Sequence, residues 1–264
     1  MSDAPSSVPS FAPNYVMIGR GQWSRRMNAI LTDEGHAVST IEETRRRPDE
    51  SELQYVARLA ESMKKSAAQI AWICVWPGPH VSLMIQAALE AGLHVIVEKP
   101  WYGTPEDTQR LQSQAAANAR TLAVHFEYLM LDEVEQWRRE HHPGTGLQFG
   151  GNFFLNRPDR TNTPALDNLG CHLLAIREHV CPAATIAQLH CAYERPDERV
   201  VWLEKNGEMV SAINLLTHRQ PIIQRFIKKV EAALSGGAAF PFDLNFALRV
   251  VNAVNACKAR NDQP

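Results

Sequence analysis

The sequence predicts an α/β protein in two parts. An N-terminal doubly wound parallel sheet comes first, followed by a smaller α/β (α+β) domain with an open, mostly antiparallel or mixed sheet. Three observations lead there. Residues 15–18 form an apolar run that enters Gly19-Arg20-Gly21-Gln22-Trp23-Ser24 directly, with a helical stretch over 25–34 and Gly35 as its stop. Residues 71–100 read strand, turn, helix, strand, a βαβ unit whose strands must be parallel. After residue 126 the alternation lapses into strand-like runs at 185–193, 199–204 and 209–216. The last two runs flank Lys205-Asn206-Gly207-Glu208, where Asn-Gly signals a hairpin.

The first element sets the chemistry. A strand, a glycine turn and a helix in direct succession form the Rossmann arrangement, in which glycines let backbone approach a pyrophosphate at a helix N-terminus. Gly19, Arg20, Gly21, Gln22, Trp23 and Ser24 are therefore candidate cofactor contacts, with Ser24 where a third glycine often stands. The next strand, 36–41, should end near the adenosine ribose. Ser39 and Thr40 lie there instead of an acid, and Arg45, Arg46 and Arg47 follow. Hydroxyls and guanidinium groups suit a 2′-phosphate, so NADP(H) is preferred. Glu42 and Glu43 keep NAD(H) possible.

Ser51 and Gln54 form a capping box that opens a helix over 51–65. The strand at 71–76 is broken by Pro77, Gly78 and Pro79, and a helix follows with Gly92 in the C-cap position. The strand at 95–97 then delivers Glu98 and Lys99 to its carboxyl edge, where open α/β sheets bind ligands. Pro100 pushes Lys99 away from helical geometry and admits a cis bond. Lys99 there meets cofactor and substrate, or else pairs with Glu98 as a strand-end salt bridge. Thr104 caps a helix over 105–118, and 121–126 is the next strand.

Composition narrows the function classes. With 264 residues and a net charge of −2, the chain makes one large or two modest domains and has no general affinity for nucleic acid or acidic membranes. Its apolar runs are too short to cross a bilayer. Residues 1–14, rich in Ser and Pro, read as a flexible lead-in without the features of a signal peptide. Five cysteines without a CxxC spacing argue against a disulfide framework and point to the cytoplasm. No His, Cys or carboxylate cluster, His141-His142 included, predicts a metal. The domain division expected is 1–14, 15–126 and 127–264.

The glycine turn, Pro77-Gly78-Pro79-His80, the segment from Ala88 to Val95 and Glu98-Lys99-Pro100 together resemble the Gfo/Idh/MocA oxidoreductases, over most of 15–125. The resemblance implies a nicotinamide-binding domain followed by an open-sheet domain. Trp76, Pro77, His80, Glu98, Lys99 and Pro100 then join the glycine turn as cofactor contacts. It also implies that Lys99 lies beside the nicotinamide and assists proton transfer.

The second half departs from the family pattern in places. A charged helix at 131–141 ends at Pro143-Gly144, and a strand follows at 147–155. His125-Phe126-Glu127-Tyr128 replaces the usual arginine and aromatic, and Glu127 reads as a substrate-facing acid or a helix-start acid. Asp167-Asn168-Leu169-Gly170-Cys171-His172 opens an apolar helix and resembles the family's Asp-x-Gly-x-His-x-x-Asp signature. Asn168 stands at the first Asp and Ala175 at the last. The match implies that Asn168 and His172 bind substrate, with His172 facing the nicotinamide and bonding the reacting group. Helices at 222–234 and 243–259, separated by Gly236-Gly237, close a domain shorter than is usual in the family. Val200, Trp202 and Leu203 place apolar groups on both sides of a strand, which predicts a homodimer formed through that sheet.

The reading that results is an NAD(P)-dependent oxidoreductase. Its small-molecule substrate is a sugar or cyclitol hydroxyl, or a carbonyl or imine. The alternative is a non-catalytic nucleotide-binding or partner protein on the same fold.

Overall fold

The computed structural model describes residues 12–141, 146–159, 163–236 and 240–261. The expected lead-in, apart from its last three residues, lies outside these, as do Pro143-Gly144, His142 and Gly237.

Five parallel strands build the first sheet: β1 (Tyr15–Ile18), β2 (Val38–Thr40), β3 (Ile70–Ile73), β4 (His94–Glu98) and β5 (Leu122–His125), in the order β2-β1-β3-β4-β5. β1, β3 and β5 are buried along their whole length, which explains their unbroken apolar runs. Helices α1 (Gln22–Asp33), α2 (Glu52–Lys64), α3 (His80–Glu90) and α4 (Pro105–Ala117) connect the strands. The order reverses between β1 and β3, so the crevice at their carboxyl ends is the switch point where such sheets take ligands.

Local chemistry explains the element ends. Ser51 and Gln54 cap α2 reciprocally, and Thr104 and Asp107 do the same for α4, with Pro105 in its first turn. α1 terminates through Gly35 at φ +88°, with His36 N–H donating to Leu31 O at 3.0 Å. That cap occupies residues 34–36, so β2 begins two residues later than the apolar pattern suggests. β3 ends at Ile73 and not at residue 76, because its neighbour β1 stops at Ile18 and turns away at Gly19.

The second half contains a 3₁₀ turn (Glu127–Met130), α5 (Asp132–Glu140), β6 (Leu147–Phe154), a π-helical turn (Leu166–Gly170), α6 (Cys171–Val180), β7 (Thr185–Ala192), β8 (Glu198–Lys205) and β9 (Glu208–Asn214). Its sheet runs β7-β6-β8-β9 and is mixed: β6 is parallel to β7 but antiparallel to β8, and β8 is antiparallel to β9. Phe149, Gly151 and Phe153 of β6 lie beside Leu203, Val201 and Arg199 of β8 on the inner face. A side chain at Gly151 would strike Leu173 of α6 at 2.4 Å, so glycine permits the close sheet–helix contact. Asn206 and Gly207 both take positive φ in the β8–β9 hairpin, as the Asn-Gly signal requires.

The last two helices, α7 (Ile222–Gly236) and α8 (Leu244–Asn261), return to the first sheet. Phe226 of α7 packs on Trp72 and His125. Val124 N–H donates to Phe242 O at 2.7 Å, which covers the open edge of β5. Among the described residues no helix is long and apolar enough to cross a membrane, and no group of His, Cys, Asp and Glu could hold a metal ion.

Candidate active site

The glycine turn joins the end of β1 to the start of α1. Gly19 has φ +130°, and a Cβ there would lie 2.2 Å from Cys74 O, so only glycine fits. Gly21 serves differently. It is the N-cap of α1 in ordinary extended backbone, and a Cβ on it would meet no atom within 4 Å. No side chain caps that helix end, and its first turn has no acid. The result is an open cradle of N–H donors at the positive end of a helix dipole, which fits the pyrophosphate of a dinucleotide. Ser24 Oγ donates to Gly19 O at 2.7 Å and pins the turn. Gln22 is exposed at the helix start. The Trp23 ring stacks toward His125 at 6.2 Å and carries the Arg26 guanidinium over its face, so it contributes backbone to the turn and side chain to the interior.

Around the end of β2, where the adenosine half is expected, the side chains are largely engaged with each other. Arg20 forms an ion pair with Glu42, tying the glycine turn to the loop after β2. Ser39 Oγ lies 3.4 Å from Tyr15 O, while Thr40 is half-buried at the end of β2. Arg47 chelates Glu43 at 2.9 and 2.8 Å, and Arg46 meets Glu52 at 3.4 Å. Arg45 is exposed and forms no ion pair among the described residues; Arg58 donates to its carbonyl at 2.9 Å while binding Glu50.

At the carboxyl ends of β3 and β4, Trp76 and His80 are exposed and Pro77 is half-buried. Gly78 brings its backbone to the His80 ring. The Lys99–Pro100 peptide bond is cis. Lys99 Nζ donates to Asn168 O at 3.0 Å and to Asn168 Oδ1 at 3.2 Å, bridging the strand edge to the π-helical turn. Asn168 Nδ2 in turn donates to Tyr193 Oη at 3.1 Å. No Lys99–Glu98 salt bridge forms among the described residues, because the two side chains leave the strand in opposite directions. Glu98 enters the interior, where Oε1 accepts from Trp72 Nε1 at 3.0 Å and pairs with His125 Nδ1 at 3.0 Å. Burial alone would raise the Glu98 carboxyl, but the charge and hydrogen bond of His125 bring it below its ordinary value. The converse holds for His125: burial lowers it, and Glu98 raises it above the usual imidazole value.

His172 stands one helical turn after Asn168 and is buried. Its ring meets the Tyr128 ring edge-on at 4.8 Å and stacks near Phe153 at 6.3 Å. Burial, with Lys99 and Arg199 nearby, holds it well below the usual imidazole range, so it is neutral at pH 7. Asp167, adjacent to Asn168, turns away to Lys258 of α8 at 2.6 Å. Pro100, Tyr102, Thr104, Asp167 and Lys258 line a cleft of about 310 Å³ behind this contact. Glu127 opens the 3₁₀ turn and is buried, with Oε2 unpartnered among the described residues.

The structure adds Arg199 and His218, to which the sequence assigned no role, beside Tyr128. Arg199 Nη1 donates to Tyr128 Oη at 2.7 Å, and Tyr128 also faces His218 edge-on at 6.0 Å. A signal was available: alternation along β8 puts Arg199 on the same inward face as Val201 and Leu203, an unusual place for a guanidinium.

Residues 14–126 match the profile of the oxidoreductase family with an NAD-binding Rossmann fold, Gfo/Idh/MocA. A search of curated proteins returned no sequence match. Among solved structures, UDP-N-acetylglucosamine 3-dehydrogenase GnnA from Acidithiobacillus ferrooxidans superposes with a TM-score of 0.69 at 14% identity, covering 92% of this chain and 96% of that one. An inositol dehydrogenase homologue from Azotobacter vinelandii, complexed with NAD+, gives 0.63 at 16% identity, covering 92% and 93%. A variant of KijD10, a 3-ketoreductase from Actinomadura kijaniata in complex with TDP-benzene and NADP, gives 0.66 at 16% identity, covering 92% and 96%. Residues 14–126 thus match the NAD-binding Rossmann domain of the Gfo/Idh/MocA oxidoreductases, and the chain as a whole shares the fold of these structures.

Proposed function

We propose that the chain is a cytoplasmic, NADP(H)-preferring oxidoreductase that interconverts a small carbonyl or imine with the corresponding alcohol or amine. The observation that carries this reading is the contact of Lys99 with Asn168, one helical turn from His172, at the carboxyl edge of the parallel sheet. The dinucleotide, held on the Gly19–Ser24 turn, supplies or receives the hydride when bound. Lys99 donates the proton to substrate oxygen or nitrogen in reduction and its free-base form takes it back in oxidation. Two of its three N–H donors go to Asn168, which leaves one for substrate. Neutral His172 orients the reacting group by hydrogen bonding. A panel of ketoses, 2-oxo acids, aldehydes and cyclic imines, assayed by NADPH oxidation, tests the function; dinucleotide binding without turnover across the panel would count against it.

NADP(H) preference is supported by Arg45, exposed and unpaired among the described residues, on the loop that the Arg20–Glu42 pair ties to the glycine turn. Arg45→Ala should weaken NADPH binding by about 1.5–3 kcal/mol, the scale of a charge-assisted contact, and leave NADH nearly unchanged. Glu42→Gln should shift selectivity the other way, since it frees Arg20 and removes an anion facing the phosphate. Fluorescence titration of both dinucleotides reads both effects; tighter NADH binding by the wild type would overturn the assignment.

A homodimer is supported by the outer face of the second sheet. Val200 and Trp202 lie there half-buried, whereas Leu203 faces inward to the core. The Trp202 indole occupies the space over Gly150 and donates its Nε1–H to Glu204 Oε1 at 2.7 Å, which gives that face an aromatic centre. Light scattering at micromolar concentration should give twice the chain mass, and Trp202→Glu should reduce it to the monomer value. A monomeric wild type would sink this proposal.

A further inference from the structure

Arg199 is a guanidinium that forms no ion pair among the described residues. It projects from the inner face of β8, and its Nε is buried without a hydrogen-bond partner among the described residues. Only Nη1 is engaged, with the Tyr128 hydroxyl at 2.7 Å, and no carboxylate pairs with it among the described residues. His218 Nδ1, beside the same Tyr128 ring, is likewise buried without a partner. A buried guanidinium N–H left unbonded is costly and calls for a missing acceptor; His218 Nδ1, in the tautomer that carries its proton there, adds a second donor. The spot is contiguous with the reacting groups. Arg199 holds Tyr128, Tyr128 meets His172, and His172 lies one turn from the Asn168 that holds Lys99. A guanidinium presents paired N–H donors that match the two oxygens of a carboxylate, whereas a neutral polyol would leave its charge unanswered.

We infer that the substrate is a small carboxylic acid, its carboxylate received by Arg199 and its carbonyl or imine carbon placed between Lys99 and His172. This rests on the oxidoreductase reading and narrows it from any carbonyl or imine to an oxo or imino acid. Arg199 is then a specificity-determining residue, and Tyr128 positions it. An ester or amide of the same acid would leave the guanidinium buried without its counter-charge, so discrimination against it should be large.

The test uses the protein saturated with oxidised dinucleotide and two planar probes of nearly equal size, pyrrole-2-carboxylate and the neutral pyrrole-2-carboxamide. Calorimetry should show the carboxylate binding at least about tenfold tighter than the amide in the wild type. Arg199→Gln should abolish that preference, and Arg199→Lys, which retains the charge, should keep part of it. Tyr128→Phe removes only the hydroxyl that holds Arg199, so it should keep the preference in weakened form and serves if Arg199→Gln misfolds. Equal affinity for the two probes in the wild type, no binding of either, or an undiminished preference in Arg199→Gln would each overturn the inference. Dinucleotide affinity and hydride transfer, measured on the same samples, report separately on the oxidoreductase reading. Catalytic turnover of neutral substrates with no carboxylate preference would leave that reading intact and remove only this one.

Discussion

Lys99→Met is expected to slow single-turnover hydride transfer by about 10²–10⁴-fold, the usual worth of a positioned acid–base group, while dinucleotide affinity changes little. The separation follows from geometry. The cradle proposed for the pyrophosphate is built by Gly19, Gly21 and the N-terminus of α1, whereas Lys99 leaves the end of β4 toward the π-helical turn. Met preserves most of the apolar stem and removes three N–H donors. Two of these hold Asn168, so part of the loss would come from a displaced turn and part from the missing proton. Asn168→Ala separates the two contributions: it leaves the lysine and its bond to the residue 168 carbonyl intact, removes only the Oδ1 contact, and should cost less than Lys99→Met. Hydride transfer at near wild-type rate in Lys99→Met would make the lysine structural. His172→Ala should also slow the step, by less, because a neutral imidazole there orients the substrate without carrying charge.

Much of this arrangement was legible in the sequence because local rules dominate it. Strands buried on both faces need unbroken apolar runs, a capping box needs Ser51 with Gln54 or Thr104 with Asp107, and the Asn206-Gly207 hairpin needs two positive φ values. The glycine turn was legible for the same reason, since strand, glycines and helix follow each other directly. What escaped depends on partners distant in the chain. The Glu98–His125 pair joins neighbouring strands 27 residues apart, and the Arg199–Tyr128 contact joins residues 71 apart. The arginines after β2 read as a phosphate-binding run, yet two of the three are paired with glutamates of the same loop or the following helix. The π-helical turn ahead of α6 was hidden as well, because residues 166–170 carry an ordinary helical pattern. It is this turn that presents the Asn168 carbonyl to Lys99, and π turns often occur at functional sites for such reasons.

The second large effect concerns the ion pair beneath the site. His125→Leu should destabilise the fold by about 3–5 kcal/mol, because it leaves the Glu98 carboxylate buried with Trp72 Nε1 as its principal donor. The wild-type pair should also shape stability against pH. Glu98, with an ordinary value of 4.5, is lowered in the fold, so its contribution is present above that value and disappears as pH falls through the lowered one. His125, with an ordinary value of 6.5, is raised, so its contribution is complete below that value and disappears as pH rises through the raised one. The pair therefore contributes most between pH 4.5 and 6.5 and weakens on either side. Replacing both partners, as Glu98→Gln with His125→Leu, removes the stranded charge and should recover part of the loss. Urea unfolding of the wild type, the two single variants and the double variant from pH 4 to 9 measures the coupling directly. Additive losses, with the same pH profile in all four proteins, would show that the two groups are neighbours without being an ion pair.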